Sequence, residues 1–441
     1  MASKRSALWK WLVCGLLLLA SAINYMDRQT LANTAPRITA QFALKQEQYG
    51  NLELGFGWAF AAGSILFGLL ADKIPLRWMY PAVLLLWSAA GVATGLIRTY
   101  PGLLACRVAL GFFEAGHWPC AVKTTQYLLA PSDRSMGNSV LQSGTSIGAV
   151  ITPLILSALL TPELGSWRFA FQAVGLLGLL WIVLWFTLIG KEDLKAAAVP
   201  SSPFPREEKG EAEGADAEPD SASTSARAPF WKLIFTRRML IVILVIALIN
   251  TSWQLIRAWL PKILVEGRGY TEKEMLYFNS VFYVATDLGC IGAGFLTLFF
   301  HRFNFSVVSA RKLTFFLCSL LSALTLAAAF LPKSVLFLAL ILLVGAGALG
   351  VFPVYHAFTQ DISPHHQGKV TGIGGIAGWI LSPAQKYYGR LVDKTGSFDL
   401  GFAVAGCLPF LAFVVLGLFW KENPVTRQPS RNRSTPAEST P

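Results

Sequence analysis

Residues 335–358 read VLFLALILLVGAGALGVFPVYHAF and contain no Asp, Glu, Lys or Arg. A helix needs roughly 20 apolar residues to cross the hydrocarbon core of a bilayer. This stretch therefore predicts a transmembrane helix, and similar apolar runs recur along the whole chain. We predict twelve such spans, at residues 9–31, 50–72, 79–97, 101–129, 137–161, 167–190, 238–261, 273–300, 312–332, 335–358, 368–391 and 400–420.

The overall composition is typical of a membrane protein. Of the 441 residues, 54% are hydrophobic and 14% are charged, and the mean hydropathy is +0.51. A soluble domain carries about 25% charged residues. The composition therefore excludes a soluble enzyme, a disordered protein and a small domain held together by disulfides.

One polar segment interrupts the series of spans. Residues 191–237 are rich in Ser, Pro, Ala and acidic residues, and such a segment cannot bury a core. We predict an all-α membrane protein whose twelve transmembrane helices form two six-helix bundles. The predicted units are an N-terminal bundle at 1–190, a flexible cytoplasmic linker at 191–237, a C-terminal bundle at 238–421 and a disordered cytoplasmic tail at 422–441.

The positions of the basic residues predict the orientation. With twelve spans, about 22 of the 37 Lys and Arg residues fall on the side of the termini and about 10 on the other side. The positive-inside rule then places both termini in the cytoplasm. The net charge of +12 thus reflects topology and not nucleic-acid binding. The short outer loops suit a bacterial inner membrane, in which we expect a monomer surrounded by lipid.

Enzymatic and metal chemistry have little support in this sequence. The six cysteines lie in apolar stretches without a C-x-x-C or metal-ligand spacing, which is typical of packing residues. There is no nucleophile-base constellation and no phosphate-binding loop. We therefore expect no enzyme, no metal and no cofactor, and a membrane enzyme or sensor remains a minor alternative.

We single out eight ionisable residues of the predicted spans as lying at membrane depth. A charge at the centre of a bilayer costs roughly 2.5 to 3.5 kcal/mol, so each one needs a partner or a function. The acids are Asp27, Glu114 and Asp287, and the cations are Arg28, Arg107, Lys123, Arg257 and Lys386.

Two groups in the first half of the chain lie on helix faces. Asp27 and Arg28 form a polar face of the first span, with Tyr25 one turn earlier, and Arg107 and Glu114 share one face of the fourth span. One interpretation is two buried salt bridges that hold helices together. The other is an arginine fork that binds an anion beside carboxylates that take up protons.

The second half supplies further polar residues. The spacing of Asn250, Trp253 and Arg257 places them along one side of the seventh span, and Tyr283 and Asp287 lie one turn apart in the eighth span. Arg257 and Asp287 would neutralise each other as a second-half charge pair, and direct contact of Arg257 with a substrate is the equal alternative. His356 and Gln385 would complete a polar cavity wall, although an isolated His in an apolar helix is often a packing residue.

Several motifs resemble a known superfamily. Residues 68–77, GLLADKIPLR, resemble the signature loop of the major facilitator superfamily, and Arg107-x-x-x-Gly111 resembles its fourth-helix motif. Residues 24–31, NYMDRQTL, and 111–119, GFFEAGHWP, are similar to the anion:cation symporter family, which includes bacterial hexuronate transporters.

The resemblance implies roles for individual residues. Asp27 and Glu114 would be the proton-coupling carboxylates. Arg28 would bind the substrate carboxylate with Tyr25 beside it, and Arg107 would hold the acids. Thr145, which lies where some relatives use a glutamine, is a further expected substrate-binding residue. The helical spacing and polarity of the second half, and not the resemblance, add Asn250, Trp253, Arg257, Tyr283, His356 and Gln385. Gly68, Asp72 and Arg77 would form a conformational latch.

The expected function is secondary active transport by alternating access between the two bundles. We expect proton-coupled uptake of a small organic anion, a hexuronate or a related sugar acid. The proton would be the coupling ion, with sodium as an alternative. A proton-driven exporter and an exchanger of organic anions or phosphate esters are the competing hypotheses, and the sequence leaves the substrate, stoichiometry, direction of transport and oligomeric state open.

Overall fold

The structure is a computed structural model that describes residues 6–71, 73–129, 133–190, 193–194, 234–303, 305–360, 362 and 367–420. The described residues are almost entirely helical and contain no strand. Ten of their helical segments are long and apolar enough to cross a membrane. The all-α prediction is thereby confirmed.

Seven α-helices precede the segment predicted as a linker. They are α1 (Ala7–Phe42), α2 (Gln46–Leu70), α3 (Leu76–Thr94), α4 (Tyr100–Glu114), α5 (His117–Leu128), α6 (Arg134–Leu159) and α7 (Trp167–Leu188).

Eight α-helices follow that segment. They are α8 (Arg237–Lys262), α9 (Glu272–Arg302), α10 (Val307–Ser322), α11 (Thr325–Ala329), α12 (Val335–Gln360), α13 (Gln367–Ile380), α14 (Pro383–Thr395) and α15 (Asp399–Phe419). A π-helical turn, Ile263–Gly267, extends α8.

Each of the twelve predicted spans coincides with a helix or with a pair of consecutive helices. Three spans are broken: the fourth into α4 and α5, the ninth into α10 and α11, and the eleventh into α13 and α14. The fourth and eleventh are not among the ten segments that are long and apolar enough to cross a membrane, whereas the ninth is counted there as one segment, Val307–Ala329. In the described chain α7 ends at Leu188 and α8 begins at Arg237. Nearly all of the predicted linker between them lies outside the described residues, and so does the predicted tail at 422–441.

The first helix is longer than the predicted span 9–31, since it continues to Phe42. Its last turns contain polar residues that lower the hydropathy of the sequence. These residues are nevertheless buried among other helices. The hydroxyl of Thr30 donates to the carbonyl of Met26 at 2.8 Å, and that of Thr34 donates to Thr30 at 2.6 Å. Backbone carbonyls thus satisfy these side chains inside the protein.

Glycines allow α6 to pack closely against α1. A Cβ atom at Gly144 would overlap the carbonyl oxygen of Leu18, and one at Gly148 would overlap that of Ala22. Small residues at such positions let two membrane helices come into backbone contact. The contact keeps the central part of α1, which carries Asp27 and Arg28, at a fixed position inside the helix bundle.

We expect Gly144→Val to lower the free energy of unfolding by about 1–3 kcal/mol or more, because the added methyl groups would push the helices apart. Gly15→Ala in α1 is the matched control, since a Cβ atom there meets nothing within 4 Å. Thermal unfolding of the purified proteins in detergent measures both. Equal melting temperatures for Gly144→Val and wild type would contradict the packing argument.

Helices from the two halves of the sequence meet at the end of the molecule where residues 43–45 connect α1 to α2. We call this end of the molecule the α1–α2 turn end. Arg37 pairs with Glu272 at 2.5 Å, and Arg390 pairs with Glu47 at 2.7 Å. The carboxylate of Asp393 in α14 accepts the backbone N–H groups of residues 46 and 47, both at 2.8 Å, and so caps the first turn of α2. Among the described residues, every ion pair between the two halves lies between this end and the middle of the helices.

Candidate functional site

Three arginines of the described chain are buried in the interior of the helix bundle. Arg28 in α1, Arg107 in α4 and Arg257 in α8 expose 7%, 0% and 2% of their surface. Removing a guanidinium group from water costs several kcal/mol unless acids and hydrogen-bond acceptors surround it. The acids around these arginines therefore define the site.

Two glutamates supply the partners. The Nε of Arg28 donates to Oε2 of Glu114 at 2.7 Å. Glu53 in α2 joins the other two arginines: Oε1 lies 3.4 Å from Nη2 of Arg107, and Oε2 lies 2.7 Å from Nη2 of Arg257. We call these residues together with Asp27 the charged cluster, which consists of Asp27, Arg28, Glu53, Arg107, Glu114 and Arg257.

The predicted pair of Arg257 with Asp287 is wrong. Asp287 accepts a hydrogen bond from Ser146 in α6 at 2.8 Å, whereas Arg257 binds Glu53. The packing of α2 against α8 explains the difference. The hydroxyl of Tyr49, one turn before Glu53, donates to the carbonyl of Ala258 at 2.7 Å, which brings the glutamate next to the arginine.

Arg107 has a partner that the sequence did not indicate. It is predicted to hold Asp27 and Glu114, and it is a charged neighbour of both, but its ion pair is with Glu53. The side chain of Arg107 has both Glu53 and Glu114 as charged neighbours. It therefore connects the acid of α2 with the acid of its own helix.

Aromatic rings cover the arginines on their apolar side. The ring centre of Phe56 lies 4.6 Å from the guanidinium carbon of Arg107 and 5.1 Å from that of Arg28. Phe60 and Trp379 also face Arg28, at 4.7 and 6.0 Å. Such cation–π contacts stabilise a guanidinium group without occupying its N–H donors.

Several polar atoms of the cluster are buried without a hydrogen-bond partner in the described chain. Each arginine has at least one such donor, and Glu114 has one such acceptor. Besides the two carboxyl oxygens of Asp27, they are Nη2 of Arg28, Nε and Nη1 of Arg107, Nη1 of Arg257 and Oε1 of Glu114. Buried donors of this kind are able to hold an anion, because a carboxylate or sulfonate would supply the missing acceptors.

Asp27 is the acid of the cluster without a cation in direct contact. It is 1% exposed, and neither carboxyl oxygen has a hydrogen-bond partner among the described residues. Its side chain lies beside Gly91 of α3 and has Glu114, Arg107 and Arg28 as charged neighbours. An ionised carboxylate without hydrogen bonds is costly in a buried site. This geometry therefore suits a group that exchanges a proton.

Three predicted binding residues form an aromatic wall next to the cluster. Tyr25 makes an edge contact with Tyr283 at 6.5 Å between ring centres, and Trp253 contacts the same tyrosine at 6.1 Å. Arg257 and Arg28 are within electrostatic reach of Tyr25. The wall thus brings together residues of α1, α8 and α9, from both halves of the sequence.

Four other predicted binding residues do not join the cluster through any of their contacts in the described chain. Thr145 and Asn250 donate to carbonyls of their own helices, those of Gln142 at 2.8 Å and Ile246 at 3.0 Å. His356 is exposed and bonds to the carbonyl of Phe352 at 2.9 Å. Gln385 accepts from the indole of Trp259 at 2.6 Å. Local backbone carbonyls satisfy the first three, so these polar side chains do not need a central partner.

The predicted latch is described only in part. Asp72 lies outside the described residues. Gly68 faces open space, and Arg77 donates to the carbonyl of Ile189 at 3.0 Å, at the end of α7. The latch therefore stays a prediction.

Glu53 is the residue of the charged cluster that sequence reasoning missed. It meets the criterion applied to the other acids, a carboxylate within an apolar run. The predicted span 50–72 placed it next to the membrane surface, whereas α2 begins at Gln46 and brings it deeper. Lys262 was missed for the same reason: it lies just after the predicted span 238–261, yet it is buried and donates to Glu266 at 2.5 Å.

Comparison with known proteins shows the family. A family model described as Major Facilitator Superfamily matches residues 17–385 and 311–441. The probable sulfoacetate transporter of Cupriavidus necator is 27% identical over 407 residues, which are 90% of each chain. The hexuronate transporter of Escherichia coli (strain K12) is 23% identical over 440 residues, 97% of this chain and 98% of the relative.

A solved structure shows the same fold. The crystal structure of a bacterial homologue of the human lysosomal transporter Spinster has a TM-score of 0.70 at 17% identity, and the match covers 94% of this chain and 96% of that chain. The relatives and fold neighbours are transporters and not enzymes. The protein is therefore a multi-pass membrane transporter that belongs to the major facilitator superfamily.

Proposed function

We propose that this transporter takes up an organic anion together with protons, and that the anion is a hexuronate or a related sugar acid. The observation that carries the proposal is the charged cluster, in which three buried arginines keep unpartnered N–H groups beside a carboxyl group without a cation in contact. The names of the relatives, which include sulfoacetate and hexuronate transporters, support an organic anion.

Charge balance supports a single anionic group in the site. The cluster contains three arginines and three acids, so it is neutral when all six are ionised. Protonation of Asp27 would leave one positive charge in a buried site. Binding one carboxylate would restore neutrality, which lowers the cost of moving the site through an occluded state. The aromatic wall of Tyr25, Trp253 and Tyr283 would pack against the apolar faces of a sugar ring.

Coupling follows from competition for Arg28. An anion that binds this guanidinium group weakens its hold on Glu114, and a glutamate without its cation takes up a proton more readily. Asp27 would thus load one proton in the neutral, substrate-bound site, and a second proton on Glu114 would leave that site with one positive charge. Import of a monovalent anion with two protons would move one positive charge inward, worth about 2.3 kcal/mol per 100 mV. That energy would support roughly 50-fold accumulation.

The proposed orientation indicates which side of the membrane is closed in this structure. With both termini in the cytoplasm, the α1–α2 turn end faces the outside, and the ion pairs of Glu47 and Glu272 close that side. The charged cluster would then be reached from the cytoplasm. Rocking of the two halves would break these pairs and open the outer side. We place this protein, as a monomer, in a bacterial inner membrane.

Uptake into liposomes tests the proposal. The purified protein is reconstituted, and entry of radiolabelled D-glucuronate and D-galacturonate is measured with and without an inward proton gradient. Sulfoacetate, gluconate and a phosphate ester serve as competitors. We expect concentrative uptake that stops when the gradient is collapsed. Exchange of phosphate esters without a gradient would instead support an exchanger, and uptake of neither hexuronate would contradict the substrate class.

A further inference from the structure

The ion pair of Glu53 with Arg257 joins the two halves of the transporter inside the site. Glu53 and Arg257 are 1% and 2% exposed, and their atoms lie 2.7 Å apart. The neighbouring contact of Tyr49 with Ala258 joins the same two helices. The carboxylate of Glu53 thus binds an arginine in the way that the carboxylate of a substrate would.

We propose that Glu53 occupies an anion subsite at Arg257 and that the anionic group of the substrate displaces it, releasing α2 from α8. This inference rests on the proposed function, since it requires an organic anion as substrate. It differs from the roles of Asp27 and Glu114, because Glu53 acts here as a competitor of the substrate.

The geometry of Arg257 favours such an exchange. Its Nε donates to Oε1 of Gln254 at 2.9 Å, so the guanidinium group stays oriented when Glu53 leaves. Nη1 is already without a partner among the described residues. An incoming carboxylate that is held by Arg28 through one oxygen would therefore bind Nη1 through the other and then replace Glu53 at Nη2.

Glu53 would also keep a partner after displacement. Its second oxygen lies 3.4 Å from Arg107, within ion-pair distance. The glutamate would then pair with Arg107 while the substrate pairs with Arg257, and no buried charge is left alone. An unpaired buried charge costs several kcal/mol, so this exchange of partners keeps the barrier low. Tyr49 and Tyr283 are further titratable groups that face Glu53.

Binding measurements on Glu53→Gln test the inference. The variant removes the competing charge, so we expect the Kd of the purified protein for D-glucuronate, D-galacturonate or sulfoacetate to fall by about tenfold. If Glu53 only stabilised the structure, its loss would disturb the site and the Kd would rise instead of falling. Glu53→Asp, which keeps a shorter carboxylate, is expected to give an intermediate Kd and serves as the second variant if Glu53→Gln does not fold.

Glu47→Gln is the matched control. Glu47 lies on the same helix and also forms ion pairs with the other half, with Arg390 at 2.7 Å and Lys386 at 3.6 Å. It does not contact Arg257 in the described structure, so Glu47→Gln loosens the contact between the halves without vacating the proposed subsite, and the tenfold fall in Kd should be absent. Wild-type binding with an unchanged or higher Kd in both Glu53 variants would overturn the inference alone. Absence of binding of all three anions to every protein would overturn the proposed function as well.

Discussion

Replacing Asp27 by Asn is expected to abolish accumulation of the anion against its gradient while leaving exchange of labelled for unlabelled anion across the membrane. The substitution keeps the shape of the side chain but removes the proton site. The amide is neutral, so the substitution adds no unpaired charge at this buried position. The accumulation ratio should fall from roughly 50-fold, expected for one net charge at 100 mV, to about one.

Asp287→Asn is the control for this prediction. Asp287 is another acid at membrane depth, but it accepts a hydrogen bond from Ser146 outside the charged cluster. We expect this variant to accumulate the anion as the wild type does. Both ratios are measured in proteoliposomes with an imposed pH gradient and membrane potential. Full accumulation by Asp27→Asn would contradict its role as a proton carrier.

Replacing Arg28 by Gln is expected to have the second large effect, on both binding and stability. The change removes the proposed main donor to the anion, so the Kd should rise by about 100-fold, as for a lost charge-assisted contact of about 3 kcal/mol. It also leaves Glu114 buried without its cation. Removing one partner of a buried ion pair destabilises a protein by about 3–5 kcal/mol.

The double variant Arg28→Gln/Glu114→Gln separates the two effects. With both charges removed, no unpaired ion remains, so we expect thermal stability to return close to that of the wild type. Anion binding should stay lost, because the arginine is still missing. If the double variant regained binding, Arg28 would act on stability and not as a ligand. Melting temperatures in detergent and equilibrium binding on the same samples provide the comparison.

The fold could be predicted from hydropathy because every helix that crosses the bilayer needs roughly 20 apolar residues. Each of the twelve apolar runs corresponds to helical structure. The predicted helix ends and breaks are wrong at places where other helices, and not lipid, surround the chain. The end of α1 was placed at residue 31 instead of Phe42, because buried polar residues such as Thr34 are satisfied by backbone carbonyls. Breaks such as that between Ile380 and Pro383 depend on packing between helices, which hydropathy does not report.

The site could be predicted in part. Helical spacing and resemblance brought out Arg28, Arg107 and Glu114, which lie on two helices of one half. Arg28 contacts Glu114 directly, and Arg107 is a charged neighbour of that glutamate. Spacing gives no information about which helix faces which across the two halves. The sequence therefore paired Arg257 with an acid of the next helix, whereas packing of α2 on α8 pairs it with Glu53.

Proton movement caused by the anion itself tests the coupling most directly. Proteoliposomes that contain a pH-sensitive dye and have no imposed gradient receive external D-glucuronate, and the internal pH is followed over time. Coupled symport predicts acidification of the lumen by wild type and none by Asp27→Asn, although both exchange the anion. Entry of labelled glucuronate into wild-type vesicles at constant internal pH would contradict proton coupling.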